Sequence, residues 1–313
     1  MTDQRKFIYT SAGAKKTRLD VFLSEQLPDI SRSRIQKLIQ CGEVLVNEHT
    51  PSVHQFLKDG DVVMTLLTQS PRSGKFPKQE RKATFALDIV AHTDDYLIIN
   101  KPAGLLVHPT ASPDTRERTL VDMLLAYDAS LGKIGEDPGR PTLVHRLDRD
   151  VSGIMIIPRT FAMFEYLKRE FKLRRIEKRY TALVYGVMTK DEGEIDFVIS
   201  RAATGGKMAA RPKSQDGKSA LTTYKVRERY RAATLVDVQI HTGRTHQIRA
   251  HLLAISHPVV GDILYMPKKK PAFTAPFLML HAEHLGFSDL QNEWKNYSVE
   301  PPKEFFDFLK QCS

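Results

Sequence analysis

The spacing of apolar residues changes several times along the chain, and each change marks an element. Leu19, Phe22, Leu23 and Leu27 recur at helical spacing after Arg18. A second helix is predicted from Ser31 as N-cap, with Ile35, Leu38 and Ile39 on one face and Gly42 just past its end. Arg32, Arg34 and Lys37 fall on the opposite face. Val44-Leu45-Val46 and Asp61-Val62-Val63-Met64 then read as short strands and close a small unit near residue 68. The first 14 residues carry no clear pattern. Residues 71–82 hold Pro71, Gly74 and Pro77, with five Lys/Arg against the single acid Glu80, the composition of a basic linker.

Beyond the linker, residues 85–90 and 96–100 are strand-like, and Thr119 caps a predicted helix running through Leu125. A longer helix is predicted over residues 161–173, with Phe161, Phe164, Tyr166 and Leu167 toward a core and Phe171 one turn on. The unbroken apolar run Ile154-Met155-Ile156-Ile157 reads as a buried strand. Strand patterns then dominate, over residues 180–187, 219–229 and 234–241, before a short helix from Thr245 to near Ile255. Residues 205–209 and 213–218 read as mobile loops. Several neighbouring strand runs with helices interspersed predict an α+β domain over residues 84–313, after a small domain over 1–70 and a linker over 71–83. No apolar run approaches the ~20 residues of a bilayer span, so no membrane partner is expected.

Charge narrows the partners. Lys and Arg number 47 against 37 Asp and Glu, a net charge of +10, which favours a polyanion. The two cysteines, Cys41 and Cys312, make neither a four-cysteine metal site nor a disulfide framework. With no hydrophobic segment behind Met1-Thr2-Asp3-Gln4-Arg5, a reducing cytoplasm is the expected location, and a monomer the expected state.

Three clusters could carry chemistry. His145-Arg146-Leu147-Asp148-Arg149-Asp150 lies at the mouth of the buried strand, where polar groups often form a site. Leu147 interrupts the succession of a kinase catalytic loop, and Ser152 lacks the first Gly of a nucleophile elbow. Taken alone, the cluster reads equally as an ion-pair network. The second is Gly243-Arg244-Thr245-His246-Gln247-Ile248-Arg249-Ala250-His251. His241, His246 and His251 recur every five residues, about 140° of helical rotation, so they share no face and no metal site is expected. Arg244 and Arg249 are the better candidates, as partners of a carboxylate or phosphate. The third is Tyr180, directly after residues 168–179 with seven Lys/Arg and two Glu. An aromatic beside cations suits a stacked base with its phosphates held nearby, although a core Tyr after a surface helix looks the same.

Taken in order, these motifs carry a resemblance. Asn100-Lys101-Pro102-Ala103-Gly104, His145-Arg146-Leu147-Asp148, Arg179-Tyr180 with Ala182, Gly243 to Leu252, and His257-Pro258-Val259-Val260-Gly261-Asp262 closely resemble the pseudouridine synthases of the RluA family. Arg18-Leu19-Asp20, Ser31-Arg32-Ser33-Arg34 and Gly42 to Asn47 resemble an S4 RNA-binding domain, which points to the large-subunit ribosomal RNA branch, the RluC/RluD type. The resemblance implies a small S4-type α/β domain and a catalytic domain on a mixed, mainly antiparallel sheet with flanking helices. It implies isomerisation of uridine to pseudouridine in structured RNA, expected to be 23S ribosomal RNA or its precursor, without cofactor or metal. Asp148 matches the catalytic aspartate and Arg249 the basic residue paired with it. Tyr180 matches the tyrosine stacked on the uracil, and Arg146 the arginine that fills the flipped nucleotide's place. Leu280 falls in the last pocket strand. Arg32, Arg34, Lys37, Lys207 and Arg244 are expected RNA contacts. Val151, Met266 and residues 287–290 depart from the family pattern without touching Asp148, Tyr180 or Arg249. A non-catalytic RNA-binding factor and a base-excising glycosylase are the competing readings.

Overall fold

The structure, a computed structural model, describes residues 2–10, 17–27, 35, 38–39, 42–52, 55–68, 86–109, 117–137, 140–202, 207–266, 271 and 273–312. The chain separates into two compact units, residues 1–83 with 109–117, and residues 84–108 with 118–313. Arg32, Arg34, Lys37, the Ser31 cap and the linker over 71–83 lie outside the described residues.

The first unit holds β1 (Thr2–Ile8), α1 (Leu19–Gln26), β2 (Val44–Val46) and β3 (Val62–Thr68), with the strands in the antiparallel order β1-β3-β2. Strand β1 falls where the sequence showed no pattern. Its alternation is nearly all polar, and pairing along the whole of β3 makes it a strand. Leu19, Leu23, Ile35, Ile39, Val44 and Val63 are almost completely buried in this unit's core. Asp20 is buried with them, and Arg18 neutralises it with two hydrogen bonds, from Nε at 3.0 Å and Nη2 at 2.9 Å.

The second unit comprises β4 (Asp88–His92), β5 (Tyr96–Lys101), α2 (Leu120–Tyr127), β6 (Ser152–Pro158), α3 (Phe161–Leu173), β7 (Glu177–Tyr185), β8 (Glu192–Arg201), β9 (Met208–Arg211), β10 (Lys218–Arg229), β11 (Ala233–Ile240), α4 (Gln247–Ala254), β12 (Leu280–Ser288), β13 (Trp294–Ser298) and α5 (Lys303–Leu309). The strands form one sheet in the order β4-β5-β6-β12-β7-β11-β10-β8-β9, with β13 on β12. Only the β6–β12 pairing is parallel among the described strands. This is the mixed, mainly antiparallel sheet of an α+β domain. No helix among the described residues is long and apolar enough to cross a membrane.

Local chemistry explains the elements that place the site. Thr119 and Asp122 form a reciprocal capping box at the start of α2. Thr160 accepts from the Met163 N–H at the start of α3, and Arg174 ends that helix in the left-handed region. Met163, Phe164 and Leu167 bury the inner face of α3. Phe161 is 58% exposed, contrary to its predicted inward place: at the first helical position its ring stacks on Phe164, 6.2 Å between centres, from the solvent side. All seven residues of β6 are buried. Gly153 in β6 has φ +119°, and a Cβ there would lie 2.2 Å from the Ala282 carbonyl oxygen. Only glycine lets β6 approach β12 this closely.

The expected mobile loops are corrected in part. Residues 208–211 are strand β9, registered on β8 from Val198↔Arg211 to Arg201↔Met208. Lys213 is ion-paired with Asp196.

Candidate active site

Asp148 sits in the turn that feeds β6, and its carbonyl accepts from the Val151 N–H at 3.2 Å. That turn is braced by a residue whose role the sequence reading left open. Lys101, at the end of β5, is fully buried, and its Nζ donates to the carbonyls of Pro102 at 2.8 Å, Leu105 at 3.0 Å and Arg149 at 2.9 Å. Burial pulls its pKa down to about 7, against the opposing charges of Asp150 and Asp148. Three carbonyl acceptors match the three donors of an ammonium, so the geometry suits the charged form.

Helix α4 delivers Arg249 from the other side. Its Nη1 donates to Asp148 Oδ2 at 3.2 Å. Nε and Nη2 form a fork on Asp262, at 2.6 and 2.8 Å. Asp262 Oδ1 also accepts the N–H groups of Leu264 and Tyr265, both at 2.8 Å. The guanidinium lies 5.0 Å from the centre of the Tyr265 ring. One arginine is thus locked by a buried carboxylate and offers its remaining nitrogen to a partly exposed one. The Asp262 carboxylate holds the Arg249 pKa above its already high ordinary value, against burial, which lowers it.

His246, at the head of α4, is held at φ +54°. Its Nε2 lies 3.8 Å from Asp148 Oδ2. Its Nδ1 is 2.9 Å from the Tyr265 hydroxyl, which also accepts the Met208 N–H at 2.8 Å. The hydroxyl suits either tautomer of a neutral ring, as donor to a bare Nδ1 or as acceptor from Nδ1–H. Burial lowers the His246 pKa against the Asp148 charge and favours that neutral form.

Asp148, Arg249 and Tyr180 line one pocket of about 120 Å³, together with Arg146, Arg244 and Leu280. Tyr180 projects from β7 and is buried; burial, then the charge of Asp148, pushes its phenol well above the ordinary range. A larger hollow of about 580 Å³ adjoins the pocket and shares Arg146, Tyr180 and Arg244 with it. Arg146 Nη1 bonds His108 Nε2 at 2.9 Å, and Arg244 Nε donates to the Ser219 carbonyl at 3.1 Å. Lys207 lies apart from both cavities, exposed at the start of β9. The three histidines spaced by five serve separate partners: His241 meets Thr223, His246 meets Tyr265 and His251 meets Thr222. Among the described residues no cluster of three or more His, Cys, Asp or Glu is placed to hold a metal.

The sequence reading missed the roles of Lys101, His246 and Asp262, although all three stand inside its motifs. A Lys in a strand and an Asp after Gly261 look like surface residues until the fold buries them.

Known proteins resemble this chain in sequence and fold. Residues 95–254 match the model of the RNA pseudouridylate synthase family, and residues 17–63 match the S4 domain. An RNA pseudouridine synthase of Aquifex aeolicus is 38% identical over 301 residues, covering 93% of this chain and 92% of its own. The ribosomal large subunit pseudouridine synthase D of Escherichia coli is 37% identical over 256 residues, 81% of this chain and 74% of its own. The solved structure of human RNA pseudouridylate synthase domain containing 1 superimposes with a TM-score of 0.56 at 27% identity, covering 69% of this chain and 84% of that one. With 160 consecutive residues matched and relatives this similar along nearly its whole length, the chain belongs to the RNA pseudouridylate synthase family.

Proposed function

We propose that the protein isomerises particular uridines of 23S ribosomal RNA, or its precursor, to pseudouridine by base flipping, without a cofactor. The observation that carries this reading is the Asp148 carboxylate, 3.2 Å from Arg249 in a pocket walled by Tyr180. The S4 match, the +10 charge and the large-subunit name of the Escherichia coli relative support the RNA assignment.

In the reaction the bond from C1′ to N1 breaks, the base turns, and a bond from C1′ to C5 forms. N1 gains a proton and C5 loses one, so atoms and electrons balance within one nucleotide. An ionised carboxylate suffices as nucleophile or base, and Arg249 aims it. A stacked base is out of reach, so it must leave the helix at a cost of a few kcal/mol. Arg146 fills the vacated place, and the Tyr180 ring takes the uracil face, worth ~1–3 kcal/mol on the stacking scale for bases. Residues 1–70 act as the RNA-binding domain, 71–83 as linker and 84–313 as catalytic domain, with Arg32, Arg34, Lys37, Lys207 and Arg244 as phosphate contacts. The protein acts as a monomer in the cytoplasm.

Incubating chelator-treated protein with a large-subunit transcript and mapping pseudouridine by a chemical adduct tests this reading. Discrete modified positions with no free uracil are expected. Free uracil would make the protein a glycosylase, and unmodified RNA would leave only a binding factor.

A further inference from the structure

The hollow beside the pocket contains a cation that has no counter-charge among the described residues. Lys178 and Tyr180 stand two residues apart on β7, so their side chains leave the same face of the sheet, roughly 6.6 Å apart along the strand. Both line the hollow of about 580 Å³. Lys178 is half-buried, with its ammonium 5.7 Å from the centre of the Phe171 ring. That ring stacks on His145 at 4.9 Å. His145 is neutral, since burial drives its pKa down to about 3 and its Nε2 accepts the Ile156 N–H.

The surroundings of Lys178 add only positive charge. Arg140, Arg146, Lys172, Arg174 and Arg244 line the same hollow, and no Asp or Glu does. Among the described residues no carboxylate lies within ion-pairing distance of its Nζ. Burial, with the Arg174 charge adding, pulls its pKa down to about 8. Among the described residues the fully buried Lys and Arg of this domain are matched: Lys101 by three carbonyls, Arg249 by two carboxylates. A partly dehydrated ammonium facing other cations is costly, and an incoming anion removes the cost.

We propose that Lys178 anchors a phosphate subsite in this hollow, holding one backbone phosphodiester next to the target uridine. The two-residue spacing sets the phosphate one nucleotide's reach from the Tyr180 ring. The Phe171 ring faces the ammonium, and Arg174 and Lys172 at the end of α3 supply the rim. The inference rests on the uridine-isomerase reading and adds to it the group that fixes the register of the strand.

The test uses the full-length protein and RNA substrates that each carry a single neutral methylphosphonate at one linkage flanking the target. Wild type should lose about tenfold in kcat/KM at one linkage, in line with one charge-assisted contact. Lys178→Met should lose about tenfold on unmodified RNA and lose nothing further at that linkage. Its log–log salt slope of binding should fall by about 0.7–0.9, the share of one phosphate. Lys178→Arg should stay sensitive to the linkage, and unchanged melting temperatures report intact folds. Lys178→Met with wild-type kcat/KM and salt slope would overturn the subsite. So would a wild-type enzyme indifferent to every single methylphosphonate, a result that needs no variant. A wild type that binds RNA but forms no pseudouridine would instead refute the functional reading, and the salt slope would still judge Lys178.

Discussion

Asp262→Asn isolates the group that aims Arg249. The carboxylate is 1% exposed and accepts four hydrogen bonds, two from the guanidinium and two from the backbone at 264 and 265. An amide keeps one oxygen for the backbone pair and Nη2, but turns its NH2 against the Nε–H. One charge-assisted bond of ~1.5–3 kcal/mol is lost, and a buried guanidinium loses its partner, a change that costs ~3–5 kcal/mol in comparable pairs. A destabilisation of about 3 kcal/mol follows, or about 6–12 °C in Tm at ~2–4 °C per kcal/mol. Released from its fork, Arg249 no longer aims at Asp148, and single-turnover rates should fall about 10–100-fold. Thermal melts and single-turnover assays measure both effects. In a stability cycle with Arg249→Met, the double variant should lose at least ~2 kcal/mol less than the two single losses combined. Additive losses, or a variant with wild-type Tm and rate, would refute the reasoning.

Acid should destabilise the protein through buried neutral imidazoles. Burial holds His145 at about 3 and His251 at about 4, below the ~6.5 of the unfolded chain. Between those values the unfolded state binds more protons. Their contribution is therefore complete above pH ~6.5 and is lost as pH falls, at up to ~1.4 kcal/mol per unit for each ring. Urea unfolding at pH 7 and pH 5 should show the His145→Gln, His251→Gln double variant losing less than wild type; equal losses would contradict this. Tyr180→Phe should bind RNA as wild type does, because the ring remains. Tyr180→Ala should bind ~1–3 kcal/mol more weakly in a filter-binding titration; equal affinities would remove the stacking role.

Where local chemistry decides an element, the sequence was enough. The cap at Thr119 and the unbroken apolar run of β6 are both visible as residue types. Strands made by partners were not. Strand β1 alternates weakly, β8 mixes acids with apolar residues, and β9 is four residues long; pairing with β3, β10 and β8 defines them. Asp148, Tyr180 and Arg249 stood out through motif order, and the fold brings them to one pocket. Lys101 and Asp262 serve through burial, which a sequence without a fold cannot display.

The central claim concerns one carboxylate, and Asp148→Asn tests it most directly. The substitution keeps shape and a hydrogen-bonding oxygen toward Arg249 while removing the charge that chemistry needs. RNA affinity near that of wild type, with pseudouridine absent from the mapped transcript, is the predicted result. Pseudouridine formed at the wild-type rate by the folded variant would contradict the account.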